Sequence, residues 1–424
     1  MSTPQTNGIL LLYHHLLTPN ASTIMENVEA LGRHSRFPVW ALNTELGFPR
    51  ALEKLHFSII VLHYSLFGYT PYHLNGQFLR YLEASRGSYK IAFFQDEYRY
   101  CRQRFDFINR YHLDCLYTLL EPQFFPEIYG KYTEVKKLVS HLPGYVSQDL
   151  LRLGTKLTKP DKDRSRDVGY RARQLDFFMG RGAQEKTEIG REFLRRAQGM
   201  NLRLDIAMDE QSRIYGPAWY EFLADCRGVL GVEAGVSIFD VEDKVRLACE
   251  EYLQEHPAAD FAEVSTRLLG PWEDNIHYRT ISPRHFEAAA LRVCQILFEG
   301  EYSGIMQPMV HYLPLKKDFS NFAEILSMFQ DNALRRKITE NAYTDLIASG
   351  RYSYESFMAG FDQDLSALGF QPTCAPTENE RVAQMLHRDL KVRRIAATIR
   401  SARYLPFPGR RLIVSTLKSL LRKH

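Results

Sequence analysis

Three short pieces of the chain carry residue types suited to holding a diphosphate. In MGRGAQEK (Met179–Lys186), Arg181 and Lys186 stand five apart across a turn containing Gly180 that feeds a helix. The free N–H groups and dipole of a helix N-terminus favour phosphate, and two cations beside it strengthen such a cradle. Taken alone, a solvated loop with ordinary surface cations is the plainer reading of this motif. Arg171, in VGYRAR, also follows an apolar strand and competes with Arg181 for the phosphate role. In ISPRHFEAAALRVCQILFEG (Ile281–Gly300), Ser282 and Pro283 make a sound helix start, because the hydroxyl takes an orphan N–H and the proline lacks one. Glu287 lies one turn into that helix, where its carboxylate either takes hydrogen bonds from ribose hydroxyls or pairs on the surface with Arg284.

Such groups need elements to position them. GILLLY (Gly8–Tyr13), FPVWALN (Phe37–Asn43), FSIIVLHYS (Phe57–Ser65), YKIAFFQ (Tyr89–Gln95) and LDCLYTLL (Leu113–Leu120) read as strands. Helices are expected at Ser22–His34 and Gln77–Ala84 between them, which means βαβ units and a parallel sheet. Ligands of such sheets sit at the carboxyl ends of the strands. That rule singles out His14 and His15, His63 and Tyr64, and Gln95, Asp96 and Glu97. His63, Asp96 and Glu97 are the catalytic candidates, each equally readable as a satisfied polar residue. Lys156–Asp167, rich in Lys, Asp and Arg, reads as a solvated linker. A second alternating half begins at Val168, so the fold class is α/β, with two halves facing a cleft. The expected division is 1–150, 165–350, a closing helix region at 351–380 and a basic tail at 381–424.

Composition limits the rest. The chain has 424 residues, 45% apolar and 25% charged, which suits two globular domains rather than disorder. Six scattered cysteines form no CxxC pair, so a reducing compartment is expected and no zinc site or disulfide framework. No stretch approaches a membrane span, and the start lacks a signal-peptide pattern. The net charge of +4 hides an asymmetry: residues 381–424 hold twelve Lys or Arg against one acid, +11, leaving −7 on the body. Two short basic amphipathic helices fit an anionic membrane surface, or docking on the acidic body. Nucleic acid is not expected as a partner, because no base-reading module accompanies the charge.

In this order, Gly180-Arg181 with Lys186, Phe286-Glu287-Ala288, HYLPLKKDFSN (His311–Asn321) and Tyr352–Tyr354 resemble the carboxyl-terminal half of GT-B glycosyltransferases. The closest likeness is to the retaining family 4 (group 1) type found in bacterial surface-polysaccharide clusters. The resemblance covers about residues 168–360 and is looser before that. It implies two Rossmann-like domains facing a cleft, with a nucleotide sugar on the second and a glycan or lipid-linked acceptor on the first. It further implies donor contacts from Arg171, Gly180, Arg181, Lys186, Arg284 and Glu287, retention at the transferred sugar, and no cofactor. Arg and Lys would neutralise the leaving diphosphate without a metal. The sequence departs from the family in two places: the glutamate expected eight residues before Glu287 is Arg279, and the glycine at the end of the same helix is replaced by Arg292 or Val293. A sugar-nucleotide epimerase of the same fold, or a non-catalytic GT-B-like partner protein, are the competing readings. Asp161-Lys162-Asp163 and Asp362-Gln363-Asp364 have the DxD spacing of metal-dependent transferases but follow no buried strand.

Overall fold

The computed structural model describes residues 5–16, 22–373 and 379–386. Strands β1 (Gln5–Tyr13), β2 (Val39–Asn43), β3 (His56–Leu62), β4 (Tyr89–Phe93), β5 (Cys115–Thr118) and β6 (Lys137–Ser140) form one sheet, ordered β2-β1-β3-β4-β5-β6. Every pair in it is parallel. The apolar runs read as strands are buried on both faces, as a parallel sheet requires. Successive side chains alternate between faces. Ile9, Leu11, Ile59 and Val61 enter one core, while Leu10, Leu12, Ile60 and Leu62 enter the other.

A second sheet is built from β7 (Arg166–Arg171), β8 (Leu204–Ala207), β9 (Cys226–Gly231), β12 (Cys294–Phe298) and β13 (Leu313–Leu315), ordered β13-β12-β9-β7-β8 and also parallel. A small antiparallel hairpin, β10 (Ala234–Val236) and β11 (Tyr278–Thr280), stands outside it. The architecture is therefore α/β with two parallel sheets. Close approach inside the second sheet depends on Gly169: a Cβ there would sit 2.3 Å from Cys226 Sγ and 2.8 Å from the Phe222 ring. Gly169→Ala is accordingly expected to cost about 1–3 kcal/mol through overpacking, seen as a lowered thermal midpoint.

Two apolar contacts stand out between the halves among the described residues. The Tyr354–Ala367 helix returns to the first sheet, burying Met358, Phe361 and Leu365 against Ile9, Ile59 and Phe93. Asp362 on it accepts hydrogen bonds from Ser35 Oγ at 2.7 Å and the Arg36 N–H at 2.6 Å. The second contact has no local sequence signal. Phe178, Met179, Ile238, Phe239, Val264, Leu269 and Tyr278, all from the second half, share one continuous core with Leu10, Ile60 and Phe105.

In the stretch read as a solvated linker, Lys156, Lys159, Lys162 and Asp163 are exposed, but Arg164 is not. Arg164 is only 2% exposed and donates to the carbonyls of Cys226, Leu291 and Lys159 at 2.7, 3.0 and 3.1 Å. Its guanidinium satisfies backbone carbonyls of segments far apart in the chain. Both DxD matches are structurally committed: Asp161 pairs with Arg335 at 2.8 Å and Asp364 with Lys137 at 3.0 Å. Most of the basic tail lies outside the described residues. Its first turn is helical, and Val382 and Leu386 are buried in the shared core. No helix among the described residues is long and apolar enough to cross a membrane.

Candidate active site

The carboxyl ends of the two sheets open onto one cavity of about 490 Å³. From the first half come Tyr69, beyond β3, and Asp96, Tyr98 and Arg99, beyond β4. From the second come the end of β7 (Gly169–Arg173), Lys186 on the Arg181–Arg196 helix, and Arg213 to Tyr220 beyond β8. Gly231 and Val232 at the end of β9, and Ser282 to Glu287 at the start of the Pro283–Ala290 helix, complete the lining. Six cations (Arg99, Arg171, Arg173, Lys186, Arg213, Arg284) meet three carboxylates (Asp96, Asp176, Glu287) on this wall. The excess of positive charge suits an anion.

Most of these cations are engaged. Arg171 is held by Asp205 Oδ1 at 2.6 Å and lies over the Phe222 ring at 4.4 Å. Arg99 pairs with Asp176 at 2.5 Å, linking the halves, and Arg173 donates to Tyr69 Oη at 3.0 Å. Arg284 donates to the Arg171 carbonyl at 2.5 Å and lies over Trp219 at 4.7 Å. Lys186 is different. Among the described residues its half-buried ammonium makes no hydrogen bond and no ion pair, and burial lowers its pKa to about 8. Asp96, from the other half, acts against that lowering, and Arg284, Arg173 and Arg279 add to it. A desolvated cation with free donors, on the wall of an electropositive cavity, is a ready partner for phosphate.

Glu287 is 8% exposed and accepts the Trp219 indole N–H at 2.7 Å through Oε2. Burial pushes its carboxyl up, opposed by that hydrogen bond and by Arg284. The helix start expected at Ser282-Pro283 is there, and His285 completes a capping box by returning its Nδ1 to the Ser282 N–H at 3.0 Å. The buried face of Phe286, Ala289 and Ala290 fixes the helix, which holds Glu287 toward the cavity.

Lys186, Arg171, Arg284, Glu287 and Asp96 thus share one cavity. The other sequence candidates lie elsewhere. Gly180, at φ +78, caps the Arg181–Arg196 helix, but the helix end is closed by the chain itself. Glu273 Oε1 accepts the Arg181 N–H at 2.9 Å and Ser237 Oγ accepts that of Gly182 at 2.9 Å. Arg181 is exposed, and neither it nor Gly180 lines the cavity. His63 is wholly buried between Ser65 Oγ at 2.9 Å and Asn27 Oδ1 at 3.1 Å, and burial lowers its pKa to about 3. Glu97 is buried with four donors: Thr118 Oγ1 at 2.6 Å, the Leu119 N–H at 2.8 Å, Tyr278 Oη at 3.2 Å, and Tyr129 Oη. It thereby ties the first sheet to the β10–β11 hairpin. Burial outweighs those donors and pushes its carboxyl up.

Arg279, standing where the resemblance places a glutamate, forms a buried pair with Glu185 at 2.8 Å, and Lys317 reaches the same carboxylate at 2.8 Å. The cation at that position is therefore internally balanced. Trp219, Arg173 and the Tyr69–Arg99 contact escape the sequence reading. The Gly216-Pro217 helix start before Trp219 was the one local signal available for it.

No family model matches the sequence, and no curated protein does. Several solved structures resemble the chain. An alpha-glucosyltransferase in complex with UDP and DNA is 10% identical, covering 85% of this chain and 99% of that one, with a TM-score of 0.47. Sucrose-phosphate synthase from Thermosynechococcus elongatus is 12% identical over 85% of this chain and 98% of its own, with a TM-score of 0.46. HepE from Anabaena, in complex with UDP, is 12% identical over 85% of this chain and 100% of its own, also at 0.46. Each is a likeness of fold and nothing finer. The exclusion of nucleic acid drawn from the sequence is corrected at this point. Solved structures that the chain resembles, those of the alpha-glucosyltransferase, hold DNA.

Proposed function

We propose that the chain is a glycosyltransferase that moves a sugar from a nucleotide-sugar donor to an acceptor hydroxyl, with the donor diphosphate on Lys186. The observation that carries this reading is the unpartnered Lys186 ammonium in a cation-rich cavity between the carboxyl ends of two parallel sheets. The resemblance seen in the sequence supplies the donor class and the retaining outcome. It also supplies the acceptor class, a glycan or lipid-linked hydroxyl of cell-surface glycan synthesis.

In this reading Oε1 of Glu287, which takes no hydrogen bond among the described residues, accepts from the ribose, while Trp219 holds the carboxylate in place through Oε2. The acceptor enters from the side of Asp96. The bond between the anomeric carbon and the diphosphate oxygen breaks, the acceptor oxygen bonds to the same carbon, and its proton passes to the departing phosphate. Lys186 stabilises the charge that grows on that phosphate, the electrostatic term that usually dominates such catalysis.

Incubation with a panel of labelled sugar nucleotides tests the reading. Acceptors should include oligosaccharide, lipid-linked sugar and DNA. Label should move only when an acceptor is present. Label rearranged without acceptor would indicate an epimerase, and no turnover with any donor would indicate a binding protein. Because cations line the diphosphate position, excess chelator at a temperature where the chain stays folded should change the rate by less than about twofold. Nucleoside-diphosphate binding abolished by chelator and restored by manganese would contradict this assignment of the diphosphate.

A further inference from the structure

The carboxyl ends of the two sheets also bring together a group of residues that does not line the cavity. Glu121 lies three residues beyond β5, Glu301 three residues beyond β12, and His277 immediately before β11. Their ligand-type atoms all lie within 4.8 Å of one another, and Glu121 Oε1 is 3.1 Å from His277 Nδ1. We propose that Glu121, His277 and Glu301 bind one divalent transition-metal ion, which clamps the first half to the second.

The donor set favours that class of ion. An imidazole nitrogen with two carboxylates suits zinc or manganese, at metal–ligand distances of about 2.0–2.2 Å. Ligands on one such ion stand up to about 4 Å apart by that geometry, so side-chain rotation alone closes the present spacing. Charge points the same way. Among the described residues no Lys or Arg pairs with Glu121 or Glu301, and the nearby Arg279 and Lys317 are both committed to Glu185. One imidazole leaves two carboxylates unbalanced.

The surroundings hold these groups in place. Gln123 Nε2 donates to the second oxygen of Glu121 at 2.8 Å, leaving Oε1 toward His277. Buried Glu233 accepts the N–H groups of Glu301 and Tyr302 at 3.1 and 2.7 Å. Those bonds fix the turn that presents Glu301, whose next residues, Tyr302 and Ser303, have φ values of 47° and 56°. A bound ion would connect this turn to the β5 loop, which no covalent link does.

The test uses the untagged full chain, stripped with chelator and titrated with zinc chloride by calorimetry in a weakly coordinating buffer. One equivalent should bind, and the thermal midpoint should rise with zinc concentration. Second-shell changes at metal sites cost about 10–100-fold in affinity, and loss of a ligand should cost no less, so His277→Ala should weaken binding at least tenfold. Glu301→Gln, on an exposed turn, should do the same without threatening the fold. Binding of a nucleoside diphosphate should be unchanged in both variants. Absence of a one-equivalent event in the native chain, or the same event in both variants, would overturn the site.

Discussion

Lys186→Met is expected to lower kcat/KM for the nucleotide sugar by about 100-fold, from a charge-assisted hydrogen bond lost in a desolvated site. The methionine keeps the length and apolar stem of the side chain, so the Arg181–Arg196 helix and its packing through Ile189 and Phe193 are left intact. Arg181→Ala, five residues earlier, should change the same parameter by less than about twofold, the usual size for an exposed position. Its side chain is exposed, and its N–H already serves Glu273. The pair of variants separates a phosphate site centred on Lys186 from one centred on the helix end.

The pH dependence follows from the same residue. Burial lowers the Lys186 pKa to about 8, so in the free chain the cation is present below that pH and lost as pH rises through it. Donor binding and kcat/KM should therefore fall on the alkaline side of about pH 8 in the native chain. Lys186→Arg, whose guanidinium stays charged, should lose that alkaline limb even if its absolute rate is lower. Steady-state rates across the pH range decide between the two outcomes.

Glu97→Ala is expected to destabilise the fold by about 3–5 kcal/mol, because it strands four donors in a buried site. Those donors come from β5 and the residue after it, from Tyr129 and from Tyr278, so the loss would be felt at the junction of the halves. Chemical denaturation should show a lower midpoint, with donor affinity of the folded fraction little changed. Unaltered stability together with abolished turnover would instead make Glu97 a catalytic group.

The contrast between Lys186 and Glu97 shows what local sequence carried. Short apolar runs marked β1 to β5, and the Ser22–His34 helix lies where it was expected. The Ser-Pro start and the apolar face around Glu287 are local features, although the carboxylate's contact with Trp219 is not. Lys186 was accessible for the same reason: its position on a helix after a strand is set by neighbours in the chain.

What the sequence hid are pairings across long separations. Glu97 meets Tyr278, His63 meets Asn27, Arg171 meets Asp205, and the Arg181 N–H meets Glu273. None of these partners is fixed by spacing within one element. The strand-end rule located Asp96 and Glu97 equally. Only the left-handed turn at Asp96, φ 51, sends one carboxylate to the cavity and leaves the next residue in the core. The shared core likewise depends on apolar residues scattered from 178 to 278, which the pattern of no single element groups together.

The most direct test of the phosphate assignment is a structure of the chain with a nucleoside diphosphate or intact nucleotide sugar soaked into crystals. A phosphate oxygen should lie about 2.7–2.9 Å from Lys186 Nζ, the distance of a charge-assisted hydrogen bond. The ribose should lie beside Glu287. A diphosphate seated elsewhere, with the Lys186 ammonium still unengaged, would contradict the account.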